Sequence, residues 1–346
     1  MRQTSEYCAL GHPDRTCDFI ACYLLDRWRE KDPAARVALE VQLKDRFCTV
    51  AGEVASSHAF ADDEIAAFCR KAVEEVGYTA AYKARFGEGR CVCGAELEVA
   101  VHLSRQSPDI AKGVDAGGWG DQGIFWGYAE NTPGTGYMPL DYHLARKVAK
   151  AVAASGIGGI DVKAMVAVED GAPAECVVAV PLPGGAGMEE VVGLVRGIVG
   201  RDCEISVNGT GAYETHGSVG DCGTTGRKLV CDFYGGASRV GGGSPWGKDS
   251  TKADVTLNVL ARRLALDYMK AGGLDAVRCS ISCAIGGRTV RVCYWDGANR
   301  LLAEDVVEAA PADVARDLAL SGESAAETCR RGLFGFETDD VRWYGL

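Results

Sequence analysis

Apolar positions along this chain switch repeatedly between a helical period and a strand period. In GHPDRTCDFIACYLLDRW the residues Phe19, Ile20, Tyr23, Leu24 and Trp28 recur at helical spacing, with Pro13 at a first helical position and Asp14 in the first turn. ARVALEVQLKDRFCTVAGEV then reads as two short strands around a charged turn. DDEIAAFCRKAVEEVGY reads as a helix capped by Asp62 or Asp63, and ELEVAVHLS alternates as a strand. Residues 105–120, RQSPDIAKGVDAGGWG, are rich in Gly, Pro and polar groups and read as a mobile loop.

The middle third opens with GIFWGYAEN. A helix through HLARKVAKAVAAS, strands VKAMVAVE and AECVVAVPL, and a helix over MEEVVGLVRGIVG follow. The loop NGTGAYETHGSVG separates it from the last third. There KLVCDFYG reads as a strand, and a long helix runs from about Thr251 to Lys270. The strands VRCSISCAIG and TVRVCYWDG, the short helix DVARDLALSG and the tail DDVRWYGL complete the chain. The pattern predicts an α/β or α+β protein with three similar layers, divided at 1–105, 116–214 and 215–346 with a mobile loop at about 105–118. No sequence repeat is strong enough to prove internal symmetry.

The 346 residues are 47% hydrophobic and 25% charged, which argues for a folded chain with sizeable cores. A net charge of −11 disfavours a general nucleic-acid or anionic-membrane binder. The 15 cysteines are odd in number and irregular in spacing, so free thiols in a reducing compartment are expected. Glu6, His12 and Asp14 stand where a signal peptide needs an apolar core, and no apolar run is long enough to span a bilayer. The expected location is cytoplasmic.

Against that acidic background, Gly217–Asp254 gathers Arg227, Lys228, Lys248 and Lys252 around glycine turns, with Asp221, Asp249 and Asp254 spaced among them. Glycines let a backbone approach a ligand closely, and clustered cations need a polyanion to offset their repulsion. Carboxylates beside phosphates suit Mg²⁺, so the segment reads as a site for a metal-bound polyphosphate. Gly242-x-x-x-x-Gly247-Lys248 is a near miss to a P-loop, but Asp249 occupies the place of the Ser or Thr. His12-Pro13-Asp14-Arg15 is either a plain capped helix start or a helix N-terminus that takes a phosphate, with Asp14 on Mg²⁺. Asp161 and Lys163 share one strand face, as a surface pair or as a pair reaching into a cleft. Asp121 in GWGDQG is a turn former or a ligand contact.

Taken together, these segments resemble the S-adenosylmethionine synthetase (methionine adenosyltransferase) family of the bacterial and eukaryotic type. TSEYCALGHPDRTCD is similar to its opening motif. ARVALE and AGEV resemble its two early strands with their glutamates, and QSPDIAKGVD resembles its mobile loop. GDQGIFWGYAEN…YMPL, GIDVKAM, GSVGDCGTTGRK, GGGSPWGKDSTKAD and SCAIG follow in the family's order over nearly the whole chain.

The resemblance implies three α/β domains about a pseudo-threefold axis. It implies a homodimer with shared active sites, or a tetramer; the charge and the lack of a long apolar run set the expectation that neither nucleic acid nor membrane is bound. The implied reaction joins ATP and L-methionine to S-adenosylmethionine and releases phosphate and diphosphate. The implied cofactors are Mg²⁺, two per site, and K⁺. His12 and Arg15 would contact phosphates, and Asp14 and Asp254 would bind Mg²⁺. Glu40 and the Cys222 region would hold K⁺. Asp221, Arg227, Lys228, Lys248 and Lys252 would line the phosphate pocket. Glu53, Gln106, Asp121 and Ile285 would form the methionine pocket. Asp161, Lys163 and Tyr213 would meet adenosine or the metal-phosphate edge, with Tyr213 stacked on adenine. His12, Lys163, Arg227, Lys248 and Lys252 are the implied catalytic set.

The sequence departs from the pattern at Arg15 for the usual Lys, at Ala164-Met165, and at Ser244-Pro245-Trp246. A fork is not a point charge, so the first change alters geometry while keeping charge. The departures leave open a catalytically inactive paralogue that serves as a regulatory subunit. A P-loop-like hydrolase would yield ADP instead.

Overall fold

A computed structural model describes residues 2–105, 117–322 and 324–336. The described residues form three four-stranded sheets, and three modules are built by the same device. A leading strand is followed by a helix, and the helix by a hairpin. The first module has strand β1 (Arg2–Cys8), helix α1 (Pro13–Lys31) and the hairpin β2 (Arg36–Lys44) and β3 (Phe47–Ala55). Helices α2 (Asp62–Val76) and α3 (Ala80–Phe86) return the chain to β4 (Glu98–Ser104), parallel to β3. The second module repeats this with β5 (Gly123–Glu130), α4 (Leu140–Ala154), the hairpin β6 (Lys163–Glu169) and β7 (Ala172–Ala179), α5 (Met188–Val199), and β8 (Glu204–Val207) parallel to β7.

In the third module the helical turn α6 (Gly217–Gly220) precedes the short strand β9 (Gly223–Thr224), and the turn α7 (Leu229–Asp232) follows it. Helix α8 (Ala253–Gly272) then leads into the antiparallel strands β10 (Ala276–Cys283), β11 (Thr289–Asp296) and β12 (Leu301–Glu308). Helices α9 (Pro311–Asp317) and α10 (Ala325–Arg331) close the described chain.

The leading strands do not stay at home. β1 pairs with β6, β5 with β10, and β9 with β2, each antiparallel. Each module therefore lends its first strand to the next, and the third lends back to the first. The three contiguous segments expected from the sequence are stitched into a ring. The repeat lies in connectivity, which is why no repeat of residues reveals it.

Local chemistry sets the elements. α1 starts where Pro13 fixes φ and where His12 Nδ1 accepts from the Asp14 N–H at 3.3 Å. Its predicted stripe, Phe19, Ile20, Tyr23, Leu24 and Trp28, is buried throughout. The β6–β7 hairpin turns at Asp170 (φ 49°) and Gly171 (φ 82°), the two left-handed positions that a tight hairpin needs. α2 is capped at Ala61 and not at Asp62 or Asp63. Glu64 reaches back to the Ala61 N–H at 2.9 Å, and both aspartates fall inside the first turn. KLVCDFYG is not a strand. Leu229–Asp232 forms one helical turn, because Asp232 is drawn inward by Arg15. All 15 cysteines are free, and 12 of them are buried.

α8 lies close on β5 because residue 127 is glycine. A Cβ there would sit 1.9 Å from the Ala261 carbonyl oxygen. Gly127→Ala should therefore destabilise the protein by roughly 1–3 kcal/mol, read as a lowered Tm. An unchanged Tm would mean that α8 is free to shift.

Candidate functional site

Two groups of charged side chains gather at the seams between sheets. The first forms where β9 and its flanking loop lie across the start of α1. Gly223 permits this, since a Cβ there would come 2.3 Å from the Pro13 carbonyl oxygen. Asp14 is fully buried at this contact. Its Oδ1 accepts from the Thr224 N–H at 2.8 Å, and its Oδ2 receives Lys228 Nζ. Arg227 Nε stands 3.8 Å from Oδ1 and remains about half exposed. His12 Nδ1 is 3.9 Å from Oδ2. Burial, helped by the charge of Lys228, pushes the His12 imidazole down to about 4, so it is neutral at neutral pH.

Asp161 closes this side. Its Oδ2 accepts from Tyr213 Oη–H and from the Gly217 N–H, both at 2.8 Å. Asp161 and Lys163 do not pair. β6 begins at Lys163, and Lys163 Nζ instead meets Glu6 Oε2 on β1 at 3.0 Å. Asp221 caps its own turn, accepting from the Cys222 N–H at 2.8 Å.

The second group forms where the glycine loop before α8 is sewn to β2. Leu39 N–H donates to the Gly247 carbonyl at 3.0 Å, and Val37 N–H donates to Asp249 Oδ2 at 2.7 Å. Asp249 thus holds the loop to the sheet. Lys248 Nζ pairs with Asp254 Oδ2 at 2.7 Å, and Lys252 with Asp249 at 3.5 Å. A Cβ on Gly243 would fall 1.7 Å from Asp254 Oδ1, so only glycine lets this backbone lie against the carboxylate.

A cavity of about 330 Å³ opens here, lined by Glu53, Asp121, Lys248, Lys252, Asp254 and Ile285. An adjoining cavity of about 440 Å³ shares Asp121, Lys248 and Asp254 and adds Glu40, Thr225 and Gly226. Asp121 is both turn former and cavity wall, since its Oδ1 accepts from the Gln122 N–H at 2.7 Å. Burial raises Glu40 despite Lys248 nearby. Cys222 Sγ accepts from Gln42 Nε2 at 3.7 Å, two residues along β2 from Glu40. Among the described residues, no hydrogen bond or ion pair joins the first group to the second. Gln106 and most of the expected mobile loop lie outside the described residues.

Arg15, expected to contact phosphates, faces the core instead. One helical position beyond Asp14, it points about 100° away, into the core. It is 2% exposed. Its Nη1 donates to Asp18 Oδ2 at 2.9 Å and contacts Asp232, while Nη2 reaches the Cys329 carbonyl at 3.4 Å. The guanidinium lies 5.1 Å from the centre of the Trp246 ring. Burial pushes both Asp18 and Asp232 upward, and Arg15 opposes it. Asp18 Oδ1 also takes the Gly226 N–H at 2.8 Å. Two departures noted in the sequence, Arg15 and Trp246, are therefore one interaction.

Family models for the S-adenosylmethionine synthetase N-terminal and C-terminal domains match residues 1–108 and 215–344. S-adenosylmethionine synthase 2 of Rhodospirillum rubrum is 34% identical over 96% of this chain and 91% of its own length. The chain belongs to the S-adenosylmethionine synthetase family. S-adenosylmethionine synthase of Rhodospirillum centenum is 33% identical, covering 97% of this chain and 93% of that one. The solved structure of an unusual S-adenosylmethionine synthetase from Campylobacter jejuni superposes with a TM-score of 0.87 at 27% identity, covering 99% of this chain and 96% of that one. In this synthetase-family chain Lys228 pairs with Asp14 at the start of α1, and Lys248 pairs with Asp254 at the start of α8.

Sequence reasoning missed Asp18, Asp232, Glu6 and the holding role of Asp249. A signal existed for Asp18, which stands at i+4 from Asp14 and i+3 from Arg15 within an apolar stripe. Asp232 carried none, because its partner is remote in sequence.

Removing Arg15 leaves two buried carboxylates without their cation. Arg15→Ala should cost roughly 3–5 kcal/mol, measured by urea unfolding. Arg15→Lys should cost less, since the charge survives. Equal losses would mean that charge is not what Arg15 supplies. Burial also raises Asp161 to about 6, from an unfolded value near 3.8. The folded value is the higher one, so the protonated carboxyl's contribution to stability is fully present below about 3.8 and is lost as pH rises from there through about 6. Affinity for an ATP analogue, measured by calorimetry, should fall as pH drops through about 6, and Asp161→Asn should flatten that limb. A wild-type profile that is flat there would remove Asp161 from the binding site.

Proposed function

We propose that this chain synthesises S-adenosyl-L-methionine from ATP and L-methionine, with release of phosphate and diphosphate. The observation that carries the reading is the pair of matched ion pairs, Lys228–Asp14 and Lys248–Asp254, each set against a glycine loop, the second of them lining a cavity. Each lysine is held in place by a carboxylate until an anion arrives. A triphosphate entering between the loops would take over the lysines, together with Arg227 and Lys252, and leave both aspartates free for a cation.

Asp14 and Asp254 offer hard carboxylate oxygens singly, next to a polyphosphate site, and that donor set fits Mg²⁺. Bound Mg²⁺ would offset charge on the triphosphate and its leaving oxygen. Glu40 is the residue we assign to K⁺. The thioether of methionine is neutral and needs no general base, so the chain's task is alignment and charge stabilisation. Glu53, Asp121 and Ile285 would hold methionine with its sulfur in line with the ribose C5′, and Gln106 would join them. Asp161 and Tyr213 would fix the adenosine end. Neutral His12 would donate to the phosphate oxygens as the C5′–O bond breaks, with Lys163 and the exposed Arg227 on the same side. Asp221 would shape the turn that presents them.

We further propose that the two groups of residues complete one another across a homodimer. Within one chain, no hydrogen bond or ion pair of the described residues links them. The open sheet surface carries exposed Phe47, Ile124, Leu301 and Val306, which a second copy would cover. Free thiols throughout fit a reducing compartment, and the cytoplasm is the location we assign. No described helix is long and apolar enough to cross a membrane.

Chromatography after incubation with ATP, methionine, Mg²⁺ and K⁺ tests the reading. S-adenosylmethionine, phosphate and diphosphate should appear together and only with methionine. Lys163→Met should slow formation at least about a hundredfold, the scale of a lost transition-state contact. ATP bound without turnover would identify a regulatory paralogue, and ADP as product would refute the synthetase reading.

A further inference from the structure

One aromatic cluster outside the charged groups holds three of the site's loops at once. α3 presents Tyr82, which sits against His216, a fully buried imidazole. His216 Nδ1 is 2.6 Å from the Glu214 carbonyl oxygen. A carbonyl can only accept, so Nδ1 carries the proton. Burial lowers the basicity of this imidazole and favours its neutral form. Its Nε2 must then accept, and Tyr82 Oη lies 2.8 Å from it. The Tyr82 oxygen in turn accepts from the Ile160 N–H at 3.0 Å. The result is a one-directional chain, from Ile160 N–H through the Tyr82 hydroxyl to His216, and from His216 to the Glu214 carbonyl.

Each end of that chain is one residue from Asp161 or its donors. Ile160 precedes Asp161. His216 precedes Gly217, whose N–H donates to Asp161, and Tyr213 Oη–H donates to the same oxygen. Packing leaves the cluster little slack. Phe86 and Tyr78 flank the imidazole, with ring centres 4.8 and 6.3 Å away. A Cβ on Gly159 would lie 2.6 Å from Tyr82 Oη, and one on Gly217 would lie 2.8 Å from Tyr78 Oη. Tyr78 itself donates to the Gly11 carbonyl at 2.5 Å, beside His12.

We infer that Tyr82 and His216 are positioning residues of the adenosine end, locking the 159–161 and 213–217 loops so that Asp161 and Tyr213 meet the nucleoside in one fixed geometry. This rests on the assignment of Asp161 and Tyr213 to adenosine. Neither Tyr82 nor His216 needs to touch the ligand. Their loss would loosen nucleoside alignment while leaving the lysines and carboxylates of the polyphosphate loops in place.

Tyr82→Phe deletes one oxygen and keeps the ring. In the full-length protein it should raise KM for ATP about tenfold, the scale of one buried hydrogen bond made floppy, with KM for methionine unchanged within about twofold. Release of phosphate and diphosphate requires the expelled tripolyphosphate to be hydrolysed, and that second activity, assayed with added tripolyphosphate that has no nucleoside to align, should stay near wild type. His216→Gln, which keeps a donor and an acceptor, should be milder than His216→Phe. Combined with Asp161→Asn, Tyr82→Phe should add little, as expected for groups acting as one unit. An unchanged KM for ATP in Tyr82→Phe would overturn the inference. So would an equal loss of both activities with a lowered Tm, which would make the pair merely structural. If Asp161→Asn alone left KM for ATP unchanged, the adenosine assignment would fall first, and the two failures are told apart by that single variant.

Discussion

The site depends on the first two turns of α1, where Asp14, Arg15 and Asp18 are buried together. A helix projects neighbours in different directions, and each of these three charges grips a different piece of the third module. Asp14 takes the Thr224 N–H and Lys228, Asp18 takes the Gly226 N–H, and Arg15 takes Asp232 and the Trp246 ring. Both glycine loops therefore hang from one helix. Charges buried this deeply are costly unless fully paired, so the network tolerates few alternatives in geometry. That intolerance is what gives two otherwise irregular loops a defined shape.

The same network explains how a protein of net charge −11 keeps a cationic pocket. Every lysine of the two loops rests on a carboxylate: Lys228 on Asp14, Lys248 on Asp254, Lys252 on Asp249. The pairing leaves the loops locally near neutral, with each ammonium held in a fixed place. Preorganised charge of this kind is where electrostatic stabilisation is largest.

Much of this was legible in the sequence, and the reasons differ by element. α1, the β2–β3 and β6–β7 hairpins and α8 have clean periodicity and turn chemistry, so pattern alone finds them. The two glycine loops stand out because cations cluster there in an acidic chain, and the joint order of motifs names the family. Arg15 was misplaced because a motif gives composition and not direction; only the fold turns it inward to Asp232. The Asp161–Lys163 pairing failed because β6 starts at Lys163 and leaves Asp161 in the preceding loop. KLVCDFYG looks like a strand in isolation, and a remote ion pair overrides that preference. β9 is two residues long and carries no periodic signal, yet it completes the first sheet.

The ring of lent strands also dictates how the chain comes together during synthesis. The middle sheet, with β1 already made, is the first for which every strand exists, once β8 is complete at Val207. The first sheet, although most of it is translated early, waits for Gly223–Thr224, and the third waits for Leu301–Glu308. Order of translation and order of closure are thus different. Contacts that close late span long stretches of chain, which slows folding and leaves sheet edges open in the interval. Once the ring is shut, opening any one sheet strips an edge strand from a neighbour's module, so the three modules should melt as a single cooperative unit.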